Sequence, residues 1–396
     1  MKTTTSLAVG ILIALVSCQT LSAQSPITAE NTSFALDFYK QHSIKKPGNV
    51  FFSPFSISVA LSMVYPGARR ETAEEIKIAM GFLKDSVKQS AEISSLIRNV
   101  TATGSPFKVV NTVWLQKGVT FEPAFLTITA QYFKNDFKEA NFAANPEGAR
   151  AEINKTIETQ TNDKIKDLLP QGVITRDVLM VLTNAVYFKD VWASPFKKEL
   201  TSLQRFYPAS GGSVNTMFMQ HTGTFSGFEN EIVSVLELPY KNKDYSLVIL
   251  LPKVDMKTFE EEHLTLENYS QWTDFRSVSF AKILLPRFKM THSIDVKDIL
   301  KDFGMIRSFD AGQADFTGIY KGLENMFISD ILHKAFVDVN EEGTEAAAAT
   351  AVVAVTRGYT PSRNFIADRP FIFIIRERKT QSILFMGKLA MPEPTK

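Results

Sequence analysis

The two hydrophobic periods of this chain are segregated along its length, and that order constrains the fold more than any single motif. Residues 29–43 place Phe34, Leu36, Phe38 and Tyr39 near helical spacing behind polar starters. A second helix opens at Ser53-Pro54, with proline in the first turn where its missing N–H costs nothing. Arg69–Met80 is a third, acidic early and closed by Gly81, and Asp85–Val100 a fourth. From Phe107 onward the period shortens. Phe107–Leu115, Val178–Phe188, Tyr245–Leu251, Arg276–Leu285, Met326–Val339, Phe371–Arg376 and Ser382–Leu389 read as strands. Helical stretches intervene at Pro123–Tyr132, Pro146–Thr161 and Ile294–Phe303. No repeat, low-complexity linker or charge block divides the 396 residues. Helices first and long strands afterwards predict one large α+β domain with mixed or antiparallel sheets.

The first residues do not belong to that domain. Leu7–Val16 is an apolar run behind Met1-Lys2, half the roughly 20 residues a membrane span needs and suited to the core of an export signal. Ser22 and Ala23 offer a cleavage point, so residues 1–23 read as a signal peptide and 24–396 as the secreted, extracellular domain. Leu15-Val16-Ser17-Cys18 also fits a bacterial lipobox, the alternative being a lipoprotein anchored at Cys18, the one cysteine of the chain. Without residues 1–23 the domain has no cysteine, which excludes a disulfide scaffold. No later apolar run reaches spanning length. Asn-x-Ser/Thr triplets at Asn31, Asn99, Asn154 and Asn268 are glycan acceptors if the chain enters a eukaryotic secretory pathway.

Lys+Arg 44 against Asp+Glu 42 leaves no bulk charge that would call for nucleic acid. The five histidines, His42, His221, His263, His292 and His333, include no His-Glu-x-x-His pair. Neither a Gly-x-Ser-x-Gly elbow nor a phosphate-binding glycine loop is present. Glu260-Glu261-Glu262 reads as a solvated stretch, and His333, inside a strand pattern, as a hydrogen-bonded core residue. The expectation is a protein that is not an enzyme and carries no metal or cofactor.

One segment does not fit its surroundings. Glu341–Val355 reads EEGTEAAAATAVVAV, alanine-rich and then valine-rich, between a strand and the turn-rich Gly358–Ser362. Small residues without bulky anchors cannot hold such a run to a core, so it is expected to be exposed. It can nevertheless enter a sheet. Alternate positions from Thr344 (Ala346, Ala348, Thr350, Val352, Ala354) give an inward face with no charge and no large side chain, and Glu345 then points outward. From composition alone, a solvent-exposed helix or linker is an equal reading.

The run Glu341, Glu342, Gly343, Thr344, Glu345, Ala346, Ala347, Ala348, Ala349, Thr350 resembles the reactive-loop hinge of inhibitory serpins. Phe52–Ile57, Asn184–Lys189 with Trp192, His333–Phe336 with Asn340–Gly343, Ala367–Phe371 and Ile383–Gly387 are similar to further motifs of that family, in the same order. The resemblance implies a single domain of three β-sheets and eight or nine helices, with an exposed loop over about 341–362. It implies a suicide inhibitor of serine proteases: the protease cleaves the loop, becomes covalently trapped as an acyl-enzyme, and is carried along as the hinge inserts into the main sheet.

In the family the scissile bond lies sixteen residues past the first hinge glutamate, which here makes it Arg357-Gly358. Sixteen strand residues span roughly 53 Å, and residues 343–356 contain neither an aromatic side chain nor proline. An arginine bait implies a trypsin-like serine protease as partner, because such enzymes hold a carboxylate at the base of the primary pocket. Gly358 departs from the serine more usual at its place, and Arg363, beyond Pro361, lies too far along the loop. By the same resemblance Ser53, Ser56, Asn184 and His333 form a hydrogen-bonded shutter, and Glu341 pairs with Arg287 near Trp192 at the top of the sheet. Lys84, Lys88 and Arg98 are interleaved with acidic residues and read as a solvated face rather than a glycosaminoglycan site. The expected state is a monomer. The alternative within the family is a non-inhibitory carrier, chaperone or storage protein, whose hinge would be interrupted by charge, bulk or proline.

Overall fold

Four N-terminal helices form where the caps predict them. The computed structural model describes residues 26–394 apart from 103, 134–135, 274, 276–277, 323–324, 330 and 345–362. Helix Pro26–Lys45 buries Phe34, Leu36, Phe38 and Tyr39. Helix Pro54–Val64 starts where the Ser53 hydroxyl accepts the Ser56 N–H at 3.1 Å and is buried nearly all round. Arg70–Met80 stops at Gly81, whose φ of +65° suits a residue without Cβ. Asp85 caps Ser86–Val100 through the amides of Val87 and Lys88.

Three sheets follow. The largest orders its strands Val50–Phe52, Ile383–Leu389, Phe371–Glu377, Tyr245–Pro252, Val233–Pro239, Val214–Glu229, Val278–Pro286 and Arg363–Ile366, with Ser202–Phe206 also paired to Val214–Glu229. Its central strands are near-continuous apolar runs because both faces are covered. A second sheet orders Phe288–Asp295, Leu332–Val339, Gly343–Thr344 and Asp190–Val191; a third orders Asp136–Ala140, Phe107–Gln116 and Met180–Phe188. Nine α-helical segments are present among the described residues. The architecture is the α+β arrangement of three sheets with helices packed around them.

One strand reading and one helix reading need correction. Met326–Ile331 carries the right pattern but forms no strand among the described residues; the strand begins at Leu332. Ile294–Phe303 is not one helix. Strand Phe288–Asp295 runs into helix Val296–Asp302, with Asp295 as cap accepting the Lys297 N–H at 3.1 Å.

Strand Met180–Phe188 of the third sheet and strand Leu332–Val339 of the second come within neighbouring distance of each other. No backbone ladder joins them among the described residues. The two-residue strand Gly343–Thr344 lies at the top of this seam.

Candidate functional site

After Val339 the chain turns through Asn340–Glu342 and comes back beside itself. The Asn340 N–H donates to the Gly343 carbonyl at 3.0 Å. Thr344 then pairs antiparallel with Val339 on one side and with Asp190 on the other, and Gly343 with Val191. A Cβ on Gly343 would sit 2.1 Å from the Asp190 carbonyl oxygen, so only glycine fits between the two edges. The strap Trp192–Phe196 clamps this turn. Trp192 N–H donates to Glu342 O at 2.8 Å, Phe196 N–H to Glu341 O at 2.9 Å, and the Trp192 indole N–H to Asn340 O at 2.9 Å.

Side chains close the clamp. Tyr240 stacks on Trp192 with ring centroids 4.7 Å apart and meets Phe188 edge-on. Its hydroxyl and that of Thr344 lie 2.5 Å apart, and Thr344 is only 2% exposed. Burial drives the Tyr240 phenol far above its ordinary pKa, so it stays neutral and able to donate. Glu341 is 4% exposed and its carboxylate is satisfied by the Thr201 hydroxyl at 2.7 Å and by Arg287 at 3.6 Å. Glu342 takes Lys198 at 2.6 Å nearer the surface. Replacing Tyr240 by Phe removes one of two mutually satisfied buried hydroxyls and leaves the other without a partner, a loss of about 1–3 kcal/mol. The expected result is a lower thermal midpoint and faster limited proteolysis at the Gly343–Thr344 turn; an unchanged proteolysis rate would mean that this contact does not hold the hinge.

Lower in the seam lies a second group. The Ser53 N–H donates to His333 Nε2 at 2.9 Å, which puts the ring proton on Nδ1. Burial, helped by nearby His292, pushes His333 down to about 3, so the ring is neutral. A cavity of about 180 Å³ opens beside it, lined by Ile57, Leu61, Met180, Leu182, Met326 and Ile331 among others. Carried down the seam without a bulge, the register at Thr344 sets Phe188 level with Val337 and Asn184 level with His333 across the gap. The same count sets Met180 level with Ser329, both at the cavity.

The structure therefore brings Trp192, Arg287, Glu341, Glu342, Gly343 and Thr344 together at the top, and Ser53, Ser56 and His333 lower down. Asn184 is on the bordering strand, its backbone opposite Asn111. Glu345, Ala346, Ala347, Ala348, Ala349, Thr350, Arg357 and Gly358 lie outside the described residues, as do residues 1–23. Arg363 opens the strand Arg363–Ile366 and pairs with Glu229 at 2.9 Å. The segment starting at Glu341 is not exposed throughout: Glu341, Gly343 and Thr344 are buried. Nothing local in the sequence links Tyr240, Thr201 and Lys198 to a hinge about 100 residues or more away.

Two glycan acceptors are corrected. Asn31 is buried with its side-chain oxygen accepting from Ser58 at 2.6 Å, and Asn154 is buried with both ends of its amide on Leu169. A glycan on either amide nitrogen would have no room inside the packed fold. Asn99 is exposed and Asn268 half-buried. Glu260 is also no simple solvated residue: it accepts from Tyr39, Ser43 and Lys388. Among the described residues, no helix is long and apolar enough to cross a membrane.

Comparison with known proteins matches this geometry. The family model described as serpin (serine protease inhibitor) matches residues 29–392. The chain is 37% identical to human Serpin B4, over 92% of this chain and 99% of that protein. It is 38% identical to the leukocyte elastase inhibitor of Bos taurus, over 92% and 99%. Among solved structures, cleaved Serpin 42Da superposes with a TM-score of 0.83 at 27% identity, over 93% of this chain and 99% of that one.

Proposed function

The chain belongs to the serpin family, and from that premise we propose that it is an exported suicide inhibitor of trypsin-like serine proteases, with Arg357-Gly358 as the reactive bond. The protease serine attacks the Arg357 carbonyl and the Gly358 amine leaves, so that Arg357 stays esterified to the enzyme. Insertion of residues 345–356 into the seam then outpaces hydrolysis of that ester.

The observation that carries this reading is a seam filled only at its top. Gly343 and Thr344 already occupy the first two places of a strand that runs antiparallel to both neighbours. Below them the bordering strands share no ladder among the described residues, and an apolar cavity lies where the far end of the insert would arrive. Small side chains suit that path. Ala346 and Ala348 would pass between Phe188 and Val337 and then Val186 and Ala335, where a bulky residue would meet close-packed neighbours. Export rests on the leader read in residues 1–23.

Incubation with trypsin followed by denaturing electrophoresis tests the proposal. The expected product is a covalent band near the sum of the two masses, with a released peptide beginning at Gly358. Loop cleavage without that band would instead make the chain a substrate, in keeping with a non-inhibitory carrier.

A further inference from the structure

Away from the hinge, a buried histidine, His42, faces a half-buried one, His292. His42, in the last turn of helix Pro26–Lys45, is 3% exposed. Its Nε2 lies 3.2 Å from Nε2 of His292, with the two rings perpendicular. His292 sits on the inward face of Phe288–Asp295, the outermost strand of its sheet. Ile294, two residues along the same face, pairs directly with His333 in the next strand. His42, His292 and His333 thus line up from the helix, through the edge strand, to the strand bordering the seam.

We propose that the His42–His292 contact is an acid-operated lock on the seam: neutral, it ties helix Pro26–Lys45 to the outer strand; protonated, it lets the sheet open for strand insertion without any protease. This rests on the reading of the seam as an insertion site. An Nε2-to-Nε2 hydrogen bond needs a proton on one nitrogen and a lone pair on the other. The neutral pair meets that condition. A first added proton, placed on a distal Nδ1, keeps the bond but puts a charge in a buried place. A second sets two N–H groups against each other and breaks it.

The surroundings do not offset the charge. Lys46 follows on from the same helix, and Lys388 reaches in from Ile383–Leu389. Glu260, the carboxylate on that side, is already engaged by Lys388 at 2.9 Å and by the hydroxyls of Tyr39 and Ser43. Asp302 on the following helix is taken by Lys45 and Gln41. His333 is a further neighbour that resists charge. Burial first, then His292, Lys46 and Lys388, push His42 down to about 4, and burial lowers His292 as well.

The sign follows from linkage. An opened form, whose histidines titrate near 6.5, binds protons that the closed form refuses, so acid favours opening from about pH 6.5 down to the native values. Each such histidine contributes about tenfold per pH unit in that window, and His42, held to about 4, contributes up to roughly 300-fold. Above pH 7 the lock is fully closed.

The test holds the purified chain at pH 4.5 and pH 7.4, follows tryptophan fluorescence with time, and measures the thermal midpoint after neutralisation. Wild type should convert at least tenfold faster at pH 4.5, to a product with a raised midpoint. The variant His42→Gln/His292→Gln, in which that pair cannot take the charge, should lose the pair's share of the acid acceleration and keep at most what His333 supplies. A variant as fast as wild type in acid overturns the lock, and so does a wild-type product that merely returns to its starting midpoint. Should the double variant fail to fold, the C2–H resonance of wild-type His42 decides: titration near 4 supports the lock and titration near 6.5 overturns it. Because no readout uses inhibition, a chain that converts in acid but never traps trypsin would overturn the proposed function and not the lock.

Discussion

Cleavage of the loop at Arg357-Gly358 is expected to raise the thermal midpoint by about 15 °C or more. The register at Thr344 leaves some twelve residues, 345–356, to be added between strands Met180–Phe188 and Leu332–Val339. Each would gain ladder hydrogen bonds worth about 1 kcal/mol net, or roughly 12 kcal/mol in all. At about 1.3 °C per kcal/mol, which an unfolding entropy of about 2.1 cal/mol/K per residue gives for a domain of about 370 residues, that is a shift of roughly 15 °C before any apolar burial in the cavity is counted. Differential scanning calorimetry of intact and cleaved chain measures it directly. A midpoint unmoved after complete cleavage would mean that the loop does not insert, and the inhibitory reading would fall with it.

The stretch Met326–Ile331 shows why the sequence was partly misleading and partly ahead of the structure. It has a strand pattern and forms no strand among the described residues. Its side chains line the cavity in the seam, where the ladder partner would arrive only with the inserted loop. Sequence pattern reports what a segment can pair with; the seam, filled only at its top, withholds the partner. The cleaved chain should therefore show Met326–Ile331 as strand.

Elsewhere legibility followed locality. Ser53, Asp85 and Gly81 bound their helices through contacts a few residues long, and such caps are readable in one dimension. Apolar runs such as Tyr245–Leu251 declared themselves because both faces are buried. Val214–Glu229 did not, since Gly223 and Gly227 look like breakers. A Cβ on Gly227 would lie 2.3 Å from the Val235 carbonyl oxygen, so that glycine answers to a neighbouring strand and not to a turn. The hinge was legible as small residues in a fixed order, and the Glu341–Arg287 pair through family likeness. The Tyr240 hydroxyl on Thr344 and the His42–His292 contact join residues more than 100 apart, and no local pattern encodes them.

Specificity is where the largest single-residue effect is expected. Arg357→Ala should slow association with trypsin-like enzymes by about 30-fold to several-thousand-fold. The guanidinium would otherwise fill a pocket ending in a carboxylate, and leaving that buried charge unpaired costs roughly 2–5 kcal/mol. Elastase-like enzymes, whose pockets accept small side chains, should lose nothing, since Val355 and Thr356 remain acceptable neighbours. The change lies sixteen residues from Glu341 and leaves the docked hinge, its Tyr240 contact and the seam untouched. Cleaved Arg357→Ala should therefore show the same rise in thermal midpoint as cleaved wild type, which separates a failed bait from a failed insertion. Stopped-flow association rates with trypsin and an elastase-like enzyme, together with mass spectrometry of the released peptide, decide the matter. Trypsin inhibition unaffected by the substitution, or a peptide beginning at Asn364, would move the bait from Arg357 to Arg363. That position is already committed to a strand and to Glu229, so its use would require the Arg363–Ile366 strand to leave its sheet before the protease could engage it.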